Sequence, residues 1–214
     1  EQLKKFKETK IYEKNKDEIK DYIKFIETFA RNLNSGLYKN AQYKWGVEGI
    51  KGVNFMLLYG GTAINKYMPK ESKFYNYETT MKDLDYITHN GAEVCNLLIR
   101  EFKKEDKYKN KDISYVPALH SGTFKFYIDN IHVIDISTAD KTQEYYLNDY
   151  NQQLKNKKKS TVPLEWLLSS IFTELSRPIG NISRWSKVLK RCSMLCREEN
   201  DFLKKNRGKD EDLE

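Results

Sequence analysis

Two aspartates, Asp83 and Asp85, stand one residue apart in MKDLDYIT, and a third, Asp135, sits between isoleucines in IHVIDIS. Side chains alternate faces along a strand, so an i, i+2 pair projects from one side. Two carboxylates so placed repel and raise each other's pKa unless a cation lies between them. Hard oxygen ligands of this kind suit Mg²⁺ or Mn²⁺ rather than a soft metal. If the strand carrying Asp135 lies beside the first, three carboxylates suffice for two divalent ions about 3.5–4 Å apart. That arrangement clamps the attacking and leaving oxygens of phosphoryl transfer.

Upstream, FMLLYGGTAINKYMP breaks from an apolar run into Gly60-Gly61-Thr62. A strand that ends in two glycines and opens a helix leaves backbone N–H groups unpaired, with no Cβ in a phosphate's way. Thr62 adds a hydroxyl donor. The glycines are read as a seat for a triphosphate, opposite the metal-holding aspartates.

The elements that must position these residues follow from periodicity. Residues 53–59 form a short apolar strand, TAINKYM opens a helix ended by Pro69, and residues 70–82 have no clear period and read as a loop. DLDYIT is a strand and residues 91–105 a helix that packs on the sheet. TFKFYI and IHVIDIS alternate on either side of Asp129-Asn130, a pair that tolerates positive φ in a two-residue hairpin turn. Strict alternation there points His132, Ile134 and Ile136 one way and Val133, Asp135 and Ser137 the other.

An N-terminal helix runs from Ile19 to Leu33 at helical spacing and closes at Asn34-Ser35-Gly36. NQQLKNKKKST reads as a linker. Ser160 or Thr161 then caps a helix with Pro163 in its first turn, and a second helix from about Ser183 places Trp185, Val188, Leu189, Cys192 and Leu195 on one face. The fold class is α/β (α+β). The predicted organisation is an N-terminal helical segment over 1–45, a catalytic domain over 46–158, a C-terminal helical segment over 159–205 and a mobile tail over 206–214.

Composition bounds the function. The 214 residues suffice for a proper core, and with 39% apolar residues against 13% aromatic, tyrosine and phenylalanine carry much of it. A net charge of +7 favours polyanions or phosphate-bearing ligands. Cys95, Cys192 and Cys196 form no even framework and no CxxC, which points to a reducing compartment, and they are read as core thiols. No apolar run approaches the roughly 18 residues of a membrane span, and no signal peptide is expected. A chain that begins at Glu1 is expected to be a processed product or a piece of a longer protein.

At Leu58-Tyr59-Gly60-Gly61-Thr62, Asp83-Leu84-Asp85-Tyr86 and Asp135 the chain resembles the nucleotidyltransferase superfamily related to DNA polymerase β. The spacer from Gly61 to Asp83 exceeds the usual length, with KESKFYNYETTMK as the apparent insertion. Within that superfamily, YGGTAINKYMP, KDLDYIT and WLLSSIFTELSRPIGNISRWSKVLKR look like the poly(A) polymerase catalytic subunits of large cytoplasmic DNA viruses, over about residues 53–195. The resemblance implies a palm-like mixed sheet flanked by helices. It implies Asp83 and Asp85 on both of two Mg²⁺ or Mn²⁺ ions, and Asp135 on the ion nearer the RNA 3′ end. The substrates it implies are ATP and an RNA 3′ end, with a homo-oligomer or processivity partner open, no membrane partner, and a cytoplasmic location that includes viral factory or virion.

Two other readings stay open. One is a toxin-type nucleotidyltransferase acting on tRNA or protein; the other is a non-catalytic RNA-binding remnant of a larger polymerase. Arg184, Lys187 and Arg191 are read as the wet face of an amphipathic helix, with Arg177 near the cleft. Tyr145, Tyr146 and Tyr150 are read as half-buried rather than base-stacking, and His120 as an ordinary loop histidine.

Overall fold

In a computed structural model of the chain, the structure describes residues 13–38, 55–75, 84–119, 121–154, 160–176 and 185–210. The N-terminal helix α1 spans Lys16–Asn34. Strand β1 (Met56–Tyr59) passes without a linker into α2 (Gly60–Tyr67), and β2 (Leu84–Thr88) leads to α3 (Gly91–Lys104). Strands β3 (Ile113–Pro117), β4 (Thr123–Ile128) and β5 (Ile131–Thr138) precede three helices, α4 (Lys141–Leu154), α5 (Leu164–Leu175) and α6 (Trp185–Asp210). No helix among the described residues is long and apolar enough to cross a membrane.

The five strands form one mixed sheet in the order β1-β2-β5-β4-β3. β2 and β5 run parallel at its centre, and the other neighbours are antiparallel. Asp129 and Asn130 turn the β4–β5 hairpin at φ 49° and 63°, the left-handed pair that a tight turn between right-twisted strands demands. Between Phe126 and Tyr127 the register slips: Phe126 faces Ile134 but Tyr127 faces His132. Val133 is the extra residue of a β-bulge. The strict alternation read from IHVIDIS therefore fails at its start, and His132 falls on the face of Asp135 rather than that of Ile134.

One face of the sheet is the core. Leu58, Tyr86, Ile136, Ile134, Phe126 and Ile128 are almost fully buried there. α3 covers it through Phe102, stacked 6.3 Å from Phe126, and α1 joins through Tyr22 and Phe25 against Phe102. The opposite face meets the C-terminal helices, since Trp166 of α5 packs edge-on to Tyr59 at 5.7 Å.

β1 is an edge strand, yet it is sealed. Buried Asn34, the last residue of α1, accepts from Met56 N at 2.6 Å and donates to Met56 O at 3.0 Å. Leu58 N donates to Ser160 O and Val162 N to Leu58 O, so 160–162 runs alongside the strand. This corrects the expected cap. Ser160 and Thr161 bridge to β1, and Pro163 occupies the position before α5 with no side-chain cap.

Other expectations also shift. α4 covers Asn151–Leu154, where the sequence predicts a linker, and residues 155–159 lie outside the described residues. α6 runs through Asp210, past the residue-206 boundary of the expected tail. Val188 and Leu195 are buried, but Leu189 is 53% and Trp185 38% exposed, so the predicted apolar face is only partly covered. All three cysteines are free, with Cys95 buried and Cys192 and Cys196 half-buried.

Candidate active site

The site begins where β1 meets α2. Gly60 adopts φ +67°, a conformation glycine enters without the Cβ penalty. A Cβ there would also lie 2.3 Å from Asp85 Oδ2. Backbone and carboxylate thus both require glycine. At Gly61 a Cβ would stand 2.5 Å from Arg191 Nη2 and 2.7 Å from the Tyr75 hydroxyl. Thr62, next along α2, is buried.

Strand registry then lines up four side chains across one face of the sheet. Tyr59 lies opposite Asp85, Asp85 opposite Asp135, and Asp135 opposite Lys125. Neighbouring strands are about 4.8 Å apart, so Asp85 and Asp135 are immediate neighbours. Asp83 lies outside the described residues, as do His120, Arg177 and Arg184.

His132 Nε2 is 2.8 Å from Asp135 Oδ1, and Lys125 Nζ stands 3.4 Å from both oxygens. Burial alone would raise this carboxyl. The hydrogen bond and charge of His132, with Lys125, outweigh it and hold Asp135 below the usual carboxylate value. The acid is ionised at neutral pH, so His132 must be the donor.

The row floors a cleft of about 990 Å³. Gly60, Gly61, Asp85, Asp135 and Lys125 line one side, and Trp166, Lys187 and Arg191 from α5 and α6 the other. Tyr59, Ser137 and Thr123 share hydroxyl hydrogen bonds of 2.9 and 2.8 Å on the same face. Arg191 donates to the Tyr75 hydroxyl at 2.7 Å and lies over the Phe74 ring. The backbone N–H groups of Phe74 and Tyr75 donate to Asn65 Oδ1, at 2.9 and 3.2 Å. Asn65 is buried on α2, so the helix that opens with the glycines also anchors the segment that holds Arg191 over them.

Two sequence readings change here. Lys187 and Arg191 are not simply a wet helix face, because both reach the acid-bearing cleft; a helix-face argument cannot see the sheet across from it. Tyr146 also lines the cleft and is 44% exposed, and Tyr145 is 83% exposed, so neither is half-buried as expected.

A divalent metal fits the chemistry of these donors. Asp85 and Asp135 offer adjacent hard oxygens on one face, and among the described residues Lys125 Nζ and His132 Nε2 stand against Asp135. Among the described residues no group of three metal-ligating side chains forms.

The comparisons with known proteins bear on the same residues. The chain is similar in fold to the crystal structure of the Megavirus polyadenylate synthase, at 15% identity and a TM-score of 0.60. The match covers 85% of this chain and 32% of that one, so the chain spans about a third of that protein's length. Comparison with curated protein sequences gives no match. The sequence pattern described as the poly(A) polymerase catalytic subunit matches residues 49–181. That span takes in Gly60, Asp85 and Asp135, and it covers more than half of the chain, which therefore belongs to the poly(A) polymerase catalytic subunit family.

Proposed function

We propose that the chain is the catalytic part of a template-independent RNA nucleotidyltransferase, a poly(A) polymerase that adds AMP from ATP to RNA 3′ ends. The observation that carries this reading is the placement of Asp85 directly opposite Asp135 across the parallel β2–β5 pair, beside the Gly60–Gly61 helix start.

Asp85 and Asp135, with Asp83, would hold Mg²⁺ or Mn²⁺, which when bound lowers the barrier to attack by a 3′-hydroxyl on an α-phosphate. The chain's own part is positioning and charge neutralisation, which dominate phosphoryl transfer. Gly60 and Gly61 keep the floor of the cleft free of Cβ atoms. Lys187 and Arg191 place positive charge across from the acids, where a triphosphate's negative charge collects. Lys125 balances the charge of Asp135 when no metal is near, and His132 donates to it. The net charge of +7 favours the RNA backbone, and three unpaired cysteines suit a reducing, cytoplasmic setting.

The test is extension of an RNA primer with each nucleoside triphosphate supplied separately, in Mg²⁺ and in Mn²⁺. Ladders of AMP addition are expected. Single additions to tRNA or protein would point instead to the toxin-type chemistry, and salt-sensitive RNA binding with no incorporation to a non-catalytic remnant.

A further inference from the structure

We propose that His132 is a positioning residue for the metal site, fixing the rotation of the Asp135 carboxylate so that one oxygen stays turned to the cleft. The inference rests on the reading of Asp85 and Asp135 as metal ligands, and the experiment below separates the two.

The bulge at Val133 is the first observation. In an unbroken strand His132, three residues before Asp135, would point away from it. The slipped register pairs His132 with Tyr127, two residues along from Lys125 and on the same face. Bulges re-aim side chains and are over-represented beside active sites. Here the re-aimed side chain lands on an acid.

The geometry of the contact is the second. His132 Nε2 is 2.8 Å from Oδ1 alone, and its ring is backed by Tyr127 at 5.4 Å between centroids. Lys125, 3.4 Å from both oxygens, is a long-armed charge that does not choose between them. A hydrogen bond to a single oxygen does choose, committing Oδ1 and leaving Oδ2 without that bond. Ligating carboxylates are commonly oriented by such outer partners, and losing one typically weakens metal affinity about 10- to 100-fold.

The experiment measures Mn²⁺ binding to the nucleotide-free chain, by loss of the free-ion electron paramagnetic resonance signal. Wild type is compared with Asp135→Ala, His132→Ala, His132→Leu and His132→Gln, and melting temperatures are recorded alongside. Asp135→Ala tests the underlying reading: if it binds Mn²⁺ as wild type does, Asp135 is no ligand and both readings fall. If Asp135→Ala loses the ion, the His132 variants decide. His132→Ala and His132→Leu are expected to weaken binding at least tenfold, and His132→Gln, whose amide donates from a similar position, to recover most of it. Binding within twofold of wild type in either folded donor-less variant overturns the proposal. So does failure of the glutamine to restore affinity.

Discussion

At Gly60 two demands meet on one residue: a left-handed backbone and a carboxylate where a Cβ would be. Replacing it with alanine costs about 1–2 kcal/mol for the backbone alone, and the added methyl also displaces Asp85. Gly60→Ala is therefore expected to lower the melting temperature by several degrees in calorimetry and to abolish nucleotide incorporation. Melting as wild type would contradict the assigned geometry. Gly61→Ala meets the ends of the Arg191 and Tyr75 side chains, which have more room to shift, so its loss of stability should be smaller. The same residues show what a sequence can carry. Asp85 and Asp135 stand out because acids between apolar residues in a strand need compensation. Gly60-Gly61 stands out because it ends an apolar run. His132 does not, because a bulge adds one residue without any mark in the composition, and it inverts a period-two reading for everything before it.

The elements that are legible are those whose burial is one-sided and regular. α1, α3 and the hairpin follow from spacing and from a turn dipeptide. α4 leaves little periodic signal because few of its side chains reach the core; Leu147 and Asn151 are buried while Tyr145 and Tyr146 are exposed. A readable signal was nevertheless there. Asp140 Oδ1 accepts from Gln143 N and Gln143 Oε1 from Asp140 N, a reciprocal capping box spelled D-K-T-Q. β3 is an edge strand ending in Pro117, and with none of its side chains buried its alternation is too shallow to mark it in the sequence. Two predictions belong to this scale. Asn34→Ala strips both backbone partners from buried Met56 and should cost about 2–3 kcal/mol, read as a lower urea midpoint with unchanged slope; an unaltered midpoint would mean that the edge is held by other groups. Lys111 clasps α1 to the hairpin turn through Glu18 and Asp129. Lys111, chiefly through Asp129 and Glu18, is pushed up, while Glu18, chiefly through Lys111, is held down. At Asp129 burial raises the carboxyl, but Lys111 and a backbone N–H outweigh it and hold it down. Both depressed acids add stability above their unfolded values, about 3.9–4.3, and lose it as pH falls through their lower folded values. Lys111→Met should thus destabilise by under about 1 kcal/mol near neutrality, because the partners are partly exposed, and the gap from wild type should close below about pH 4 and in high salt. A gap that persists in acid would contradict the clasp.

At the scale of the whole molecule, the sheet sets Asp85 and Asp135, with Lys125 beside them, across from Lys187 and Arg191 of α6, while Glu165 and Glu174 of α5 also line the cleft between. Among the described residues the helices are fastened where 160–162 bridges to β1, where Trp166 packs on Tyr59 and where Arg191 reaches Tyr75 beside the glycines. The link between basic helix and acidic sheet spans 116 residues, too far for any local pattern to reveal, which is why Lys187 and Arg191 read as solvated in the sequence. Arg191→Met is expected to raise KM for the nucleotide about tenfold, roughly the 1.4 kcal/mol of one charge-assisted hydrogen bond, and to lower the melting temperature modestly through the lost Tyr75 bond. An effect confined to kcat would assign the guanidinium elsewhere. The central claim is that the two acids paired across β2 and β5 perform the chemistry, and it is tested most directly by AMP incorporation into an RNA primer by Asp85→Ala and Asp135→Ala beside wild type. Loss of at least three orders of magnitude in both variants, with melting within a few degrees of wild type, is the predicted result. Undiminished turnover in either variant would contradict it.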